Sequence, residues 1–386
     1  PKSWLKSLSA FANGIGGTLF FGIDNDRNVV GLADAQNNAE AISRLIKERI
    51  TPYPSFILAP EQEDGKDILV LSVSAGRSTP YYYKADGIME AYIRIGNESV
   101  IAPSYVLNQL ILKGMHRTYD ELVSEYDFKD YAFSKLRERY KAWTGNSMEE
   151  KLFDSFDMRD EHGKLTNAGA LLADDSPIRH SRLFCTRWNG LDKSGGMVDA
   201  LDSAEFSGSL IILLNEGVSF VKRNMKTRWK KTADSRVEMP DYCERSVFEA
   251  LVNALIHRDY LILGSEVHID IYDDRLAIYS PGGMPDGSII QERDPFTVPS
   301  TRRNPVLADV FNRLGFMERK GSGFGKIISG YQTQINYTTD KMPLFRSDRY
   351  QFTVILPNLN YVIFRDVPRN VPQDVPQDVP QDVPQD

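Results

Sequence analysis

The sequence is short of the residues that most directly announce chemistry. Two cysteines, Cys185 and Cys243, stand among 386 residues. That is too few for a disulfide framework or a thiolate zinc site, and a reducing cytoplasm is the simplest setting. Both read as small buried apolar residues rather than catalytic thiols. The five histidines, at 116, 162, 180, 257 and 268, show no metal-ligand spacing. No apolar run approaches the roughly 20 residues of a membrane span. The nearest is 210–214, and no signal peptide is visible at the start, so no membrane partner is expected. A Gly-x-x-x-x-Gly-Lys-Ser/Thr loop is missing as well, which argues against a helicase-type motor. Excess positive charge is also lacking. The formal net charge is -7, so any contact with nucleic acid has to come from local basic patches.

What is present fits a globular chain of two or three domains, with 41% apolar and 26% charged residues. Helical spacing of Trp4, Leu5, Leu8, Phe11 and Ala12 predicts a helix over 1–14, stopped by the glycines that follow. Short strands are expected at 18–23, 29–32, 55–58, 67–73, 81–84 and 89–95, with a helix over 35–48. This makes 1–112 an α+β unit. Residues 113–203 read as a mainly helical connecting region. From 204 a second unit is expected, with helices at 204–223, 246–257, 305–314 and 324–331, a hairpin over 267–280 and a last strand at 351–356. Residues 371–386 repeat Val-Pro-Gln-Asp four times. Proline at every fourth position forbids a helix or central strand, so 362–386 reads as an extended linker or tail.

The densest chemistry lies between 244 and 326. Glu249 and Asn253 fall four residues apart on one helix face, His257 continues it, and the opposite face is apolar. A carboxylate there can activate a water. An amide oxygen can serve as a hard ligand for magnesium. Further on come Gly282-Gly283 and the loop Lys320-Gly321-Ser-Gly323-Phe-Gly325-Lys326. Glycines at a helix start let backbone N–H groups turn toward a phosphate. Each piece alone has a plainer reading, a solvated face or a turn, but their order makes ATP with magnesium the first ligand to consider.

That order resembles the ATPase fold of gyrase, MutL and sensor histidine kinases (the GHKL fold), an α/β sandwich. More closely, Glu249…Asn253-Ala-Leu-Ile-His-Arg-Asp-Tyr260, Tyr279-Ser-Pro-Gly-Gly-Met-Pro285 and Arg303-Asn-Pro305…Gly321-Ser-Gly323 resemble a divergent branch over 204–361. Proteins of that branch are described as transcriptional regulators, and some are labelled recombination-helicase-like. The resemblance implies Glu249 as the water-activating base and Asn253 as the magnesium ligand. It implies Gly321, Gly323 and Gly325 around the phosphates, and 302–314 in the lid. The parent fold reads adenine with an aspartate just before its first glycine loop. Here Ser280 or Pro281 holds that place, which leaves open a degenerate site kept as scaffold.

The run Leu8-Ser-Ala-Phe-Ala-Asn13-Gly-Ile-Gly-Gly-Thr-Leu-Phe-Phe-Gly22-Ile-Asp24, with Pro80-Tyr-Tyr-Tyr and Tyr92-Ile-Arg94-Ile-Gly96, resembles the Schlafen AlbA-type domain. This implies nucleic-acid binding, and in some members RNA cleavage by a carboxylate cluster. Only Asp24 matches an acidic position, and a turn residue is its plainer reading. Tyr82, Lys84 and Arg94 are the candidates for bases and phosphates there. A second candidate is Lys222-Arg223-Asn-Met-Lys226-Thr-Arg228-Trp229-Lys230-Lys231, six cations in ten residues. It suits a phosphate backbone, or is simply a solvated loop. The expected function is a cytoplasmic, homodimeric regulator that binds DNA, with RNA also considered, and uses ATP and magnesium to change conformation. A slow ATPase and a metal-dependent RNA nuclease are the alternatives.

Overall fold

The computed structural model describes residues 3–193, 198–318 and 323–362. The repeat at 371–386 and Gly321 lie outside them. The chain opens with α1 (Ser3–Asn13), β1 (Gly16–Phe21) and α2 (Ala35–Arg49), followed by β2 (Ile50–Thr51), β3 (Phe56–Glu63) and β4 (Lys66–Ser74). Then come β5 (Tyr82–Ala85), β6 (Ile88–Ile95), β7 (Glu98–Ile101) and α3 (Ser104–Gly114). The strands form two sheets, β1-β4-β3 and β2-β5-β6-β7. Leu5 and Leu8 of α1 are buried with Leu69, Leu71 and Tyr92 between them. Burying each such leucine contributes about 2 kcal/mol. Asn13 joins helix to sheet. Its Nδ2 donates to the carbonyls of Tyr81 and Tyr92, both at 3.0 Å, and its Oδ1 accepts from Tyr81 N at 2.7 Å. The strand expected at 29–32 is reduced to one bridge, Ile23 to Val29.

A middle stretch contains β8 (Val123–Asp127), α4 (Ser134–Thr144), α5 (Lys151–Ser155), β9 (Lys164–Thr166) and α6 (Asn167–Leu172). It is followed by β10 (Arg182–Trp188), β11 (Ala200–Ser207), α7 (Leu210–Asn224), β12 (Thr227–Lys231) and β13 (Arg236–Pro240). After these come α8 (Glu244–Ile256), β14 (Val267–Ile271), β15 (Arg275–Pro281), α9 (Pro305–Arg313), α10 (Gly323–Gln332), β16 (Leu344–Ser347) and β17 (Gln351–Pro357). A six-stranded sheet runs β11-β10-β14-β15-β17-β16, with only β10 and β14 parallel. Helices α7 and α8 pack on it, and α10 packs on α8, giving an α/β sandwich.

Two expectations shift here. The helix expected at 204–223 starts at Leu210, and 200–207 is strand β11. Ser209 is the reason, because its side chain accepts from Ile212 N at 3.3 Å and starts the helix. From there Leu210, Leu213, Leu214, Gly217, Phe220 and Val221 make a buried stripe. Second, 113–203 does not stand apart. Its strand β10 lies inside the large sheet, and Phe133, Phe153, Leu165 and Leu171 share one core with Leu213, Leu251 and Ile269. The β10–β14 pairing spans a long stretch of chain, which local periodicity cannot reveal.

Candidate functional site

Helix α8 is apolar on the side that meets the sheet, where Val247, Leu251 and Leu255 are buried. Its other stripe, Glu249, Asn253 and His257, lines a cleft. The far wall is Gly323 and Phe324 of α10, and the inner end is Ile278 and Ser280 of β15 with Phe352 and Val354 of β17. Gly282 to Pro285, Val298 to Thr301, and Met317 with Glu318 also line it. The cavity volume of the cleft is about 120 Å³, and the cleft opens to solvent beyond it.

The start of α10 comes very near the acid and the amide. A Cβ at Gly323 would lie 2.9 Å from Asn253 Nδ2 and 3.3 Å from Glu249 Oε1. Glycine is therefore what lets the helix start reach these two side chains. The middle of α10 is held by Ser246, whose Oγ donates to Ile327 O at 2.8 Å. Burial pushes the Glu249 carboxyl above its ordinary range, Lys326 and Arg245 pull it partly back, and Glu318 adds to the rise. A carboxylate lifted in this way is a better proton acceptor near neutral pH. Burial, with Arg303 and Arg302 adding to it, holds His257 neutral down to about 4. Its Nδ1 is buried and finds no partner among the described residues.

Ser280 occupies the inner end and donates its Oγ hydrogen to Ala254 O at 2.7 Å. It can then only accept from a ligand. Asp286 is turned elsewhere, toward Arg293 at 2.6 Å and Ser288. Gly325 and Lys326 are not among the residues lining the cleft. Lys326 instead meets Glu318 at 3.2 Å, and Glu318 lies in the lining. The two glycines after Ser280 are required by the backbone as well as by the cleft. Gly282 has φ +95° and a Cβ there would sit 2.6 Å from Asp259 Cβ, while one at Gly283 would sit 2.0 Å from Asp348 O. No group of three or more His, Cys, Asp and Glu able to hold a metal stands together among the described residues. The donor set at Glu249 and Asn253 suits magnesium, which takes few protein oxygens and completes its shell from phosphate and water.

Behind the cleft lies a contact that the sequence did not point to. Arg303 reaches Asp259 Oδ2 at 2.7 Å with one arm and Gly283 O at 2.6 Å with the other. Gln109 of α3, from the first unit, donates to the same Asp259 oxygen. Alongside, Tyr105 packs against Tyr350, whose carbonyl accepts from Gly282 N at 2.7 Å. Arg349 Nη1 donates to Arg94 O at 3.3 Å. His257-Arg258-Asp259-Tyr260 was visible as a motif, but partners so distant in sequence were not.

The nucleic-acid candidates separate into three places. Tyr82 packs with Ala91, Ile93 and Val106 on one face of the second sheet. Strand alternation puts Lys84 on that same face, whereas Arg94 lies on the other, over Phe11 at 5.5 Å and bonded to Ser99 Oγ at 3.0 Å. These three residues do not make one patch. The basic run is no loop, because Arg228, Lys230 and Lys231 sit on the exposed strand β12 with Lys226 at its foot. Asp24 is the turn residue expected. Its carboxylate accepts from Asp26 N, Asn28 N and Asn28 Nδ2.

Residues 1–103 match the family model "Schlafen, AlbA_2", and 264–356 match "Putative ATP-dependent DNA helicase recG C-terminal", a HATPase_c_4 model. The chain carries a Schlafen AlbA_2 domain and a RecG C-terminal-like, ATPase-like domain. The second match begins downstream of α8, so Glu249, Asn253 and His257 lie outside it. Among solved structures, the DIP2311 protein from Corynebacterium diphtheriae is 19% identical, with 92% of this chain and 69% of that one covered and a TM-score of 0.52. It has the same fold. The N-terminal domain of a "Putative ATP-dependent DNA Helicase RecG-related Protein" from Nitrosomonas europaea is 28% identical, with 25% of this chain and 73% of that one covered and a TM-score of 0.21. No curated protein matches the chain. An AlbA-type domain joined to an ATPase-like domain points to nucleic-acid binding and hints at nucleotide binding. No helix of the described residues is long and apolar enough to cross a membrane.

Proposed function

We propose that the chain is a DNA-binding transcriptional regulator that takes ATP with magnesium in the cleft and changes conformation with occupancy. The observation that carries this reading is the shared carboxylate Asp259. Through Arg303 it is tied to Gly283 in the cleft wall, and through Gln109 to the AlbA-type domain. A ligand that moves the glycine loop therefore pulls on the contact that seats the first domain. Binding energy is converted to reorientation only if the two seatings differ in affinity for nucleotide. Residues 1–112 hold nucleic acid in this reading, with RNA the other candidate polymer. The regulator acts in the cytoplasm as a homodimer, since two-fold operators favour two-fold proteins.

A slow ATPase is the second reading, favoured by the buried and elevated carboxyl of Glu249. The nuclease reading has no such support, because Asp24 is committed to its own turn.

The deciding experiment is titration calorimetry of the full chain with ATP, with and without magnesium, followed by duplex DNA affinity with and without the nucleotide. Magnesium-dependent binding that shifts DNA affinity supports the proposal. No binding at millimolar ATP makes the cleft a scaffold, and binding without any effect on DNA removes the coupling. Steady phosphate release would move the conclusion to the ATPase.

A further inference from the structure

Among the described residues, strands β12 and β13 pair only with each other, in a ribbon that joins no other sheet. Every residue of β12 is exposed, and of β13 only Val237, Met239 and Pro240 are even half-buried. Two-stranded ribbons are marginal on their own, and this one is held at both ends. At its foot Lys226 N donates to Asp241 Oδ2 at 2.8 Å, and Asp241 N returns to Lys226 O at 2.9 Å. Asn360 Nδ2 bonds Asp241 Oδ1 and Met239 O, both at 2.9 Å. At the tip Thr232 N donates to Ser235 O at 2.8 Å.

The ribbon is basic on an acidic chain. Residues 226–240 carry Lys226, Arg228, Lys230, Lys231 and Arg236 against Asp234 and Glu238. Arg236 pairs with Glu238 at 2.6 Å. Among the described residues the side chains of Arg228, Lys230 and Lys231 have no ion pair or hydrogen bond. Pleating sends Arg228 and Lys230 to one face, and Trp229, Lys231 and Arg236 to the other. Lysines alone on an exposed edge would serve only to prevent aggregation. A tryptophan 59% exposed among them does not fit that purpose and needs a surface to lie on.

We infer that this ribbon enters the major groove of B-form duplex DNA. The B-form groove admits a two-stranded ribbon. Five paired residues reach about 17 Å, half of one DNA turn. Cations on both faces then meet the phosphates on both groove walls, and Trp229 lies against base edges or sugar. The deep, narrow major groove of A-form RNA excludes such an insertion, so duplex DNA is the partner. The inference rests on the nucleic-acid half of the function proposed above and not on the nucleotide cleft.

The test is fluorescence anisotropy of the full chain on a labelled DNA duplex and on the duplex RNA of matched sequence, over a range of salt. The combined variant Arg228→Ala, Lys230→Ala and Lys231→Ala is expected to lose at least about tenfold in DNA affinity. Its log–log salt slope should flatten by about two to three, near 0.9 for each phosphate that is no longer neutralised. Duplex RNA affinity should be little changed. Exchanging Arg and Lys at these positions should restore the slope, and Trp229→Phe should remove quenching of tryptophan emission by DNA. An unchanged slope, or an equal loss on duplex RNA, overturns the inference. So does a variant that alters oligomeric state by light scattering while DNA binding stays intact. If the unaltered chain binds no duplex DNA, this inference and the DNA reading fall together. If it binds and the variant binds equally well, only the ribbon falls.

Discussion

Gly323 is where one methyl group tests the nucleotide site. It is the first residue of α10, and an added Cβ would stand 2.9 Å from Asn253 Nδ2 and 3.3 Å from Glu249 Oε1. Ordinary heavy-atom contacts lie near 3.5–4.0 Å, so in Gly323→Ala the helix start or the amide must retreat by several tenths of an ångström. Folding stability should hardly register this, because alanine is no worse a helix former than glycine and the required adjustment is small. The cleft should register it strongly, because a phosphate seated on the helix start now meets a methyl and a displaced amide. The expected loss is at least about tenfold in magnesium-dependent ATP affinity, or 1.4 kcal/mol, with the midpoint of thermal unfolding little moved. Calorimetric titration together with a melt measures both quantities. Gly325→Ala is the control, since a Cβ there would meet only Phe296, at an ordinary 3.5 Å, and should bind nucleotide nearly as before. If Gly323→Ala binds like the unaltered chain, the start of α10 is not where phosphate sits.

Two further outcomes are expected. Asn253→Ala should abolish the magnesium-dependent part of nucleotide binding while costing no more than about 1 kcal/mol of stability, since the side chain is half-buried at the cleft; equal affinity in the presence of magnesium would remove its ligand role. Burial holds both His180 and His257 neutral down to about 4 in the fold, whereas an unfolded histidine protonates near 6.5. The unfolded chain therefore binds more protons between about pH 6.5 and 4. The stability each site contributes is present above that window and is lost as pH falls through it, by up to about 3 kcal/mol per histidine. Asp120, pushed by burial up to about 6, acts in the opposite sense between pH 6 and 3.8. His268, also lowered by burial, joins the two histidines, and Glu249, raised by burial, joins Asp120. With three groups against two, urea unfolding should show net destabilisation from pH 7 to 4.5, and a flat profile would contradict the assignment.

Much of the site could be read before folding, and the reasons are local. Glu249, Asn253 and His257 obey a helical period, so any helix over 244–256 places them on one stripe. Gly282, Gly283 and Gly323 stood out because glycine marks places where a backbone turns left-handed or another group comes close. The AlbA-type run was legible for a similar reason, since Asn13 ends a helix and uses its side chain to hold two strands. What was not legible depends on partners far away in sequence. The ring of Tyr82 fills a packing gap beside α3, whereas Arg94 lies on the opposite face. Lys326 does not line the cleft itself but pairs with Glu318, which does. The basic run became a ribbon because Arg236–Pro240 returned to pair with it, a pairing that 222–231 alone does not contain.

By itself the sequence determined that the chain mixes helix and strand in both its opening and its closing unit, which helix carries the polar stripe, and where glycine had to stand, because these follow from periodicity and backbone stereochemistry. Tertiary structure alone decided that α10 faces α8 across a cleft, that β10 belongs to the large sheet, and that Asp259 is shared between Arg303 and Gln109. Those facts rest on contacts between residues dozens to hundreds of positions apart, and such contacts exist only once the core has brought the elements together.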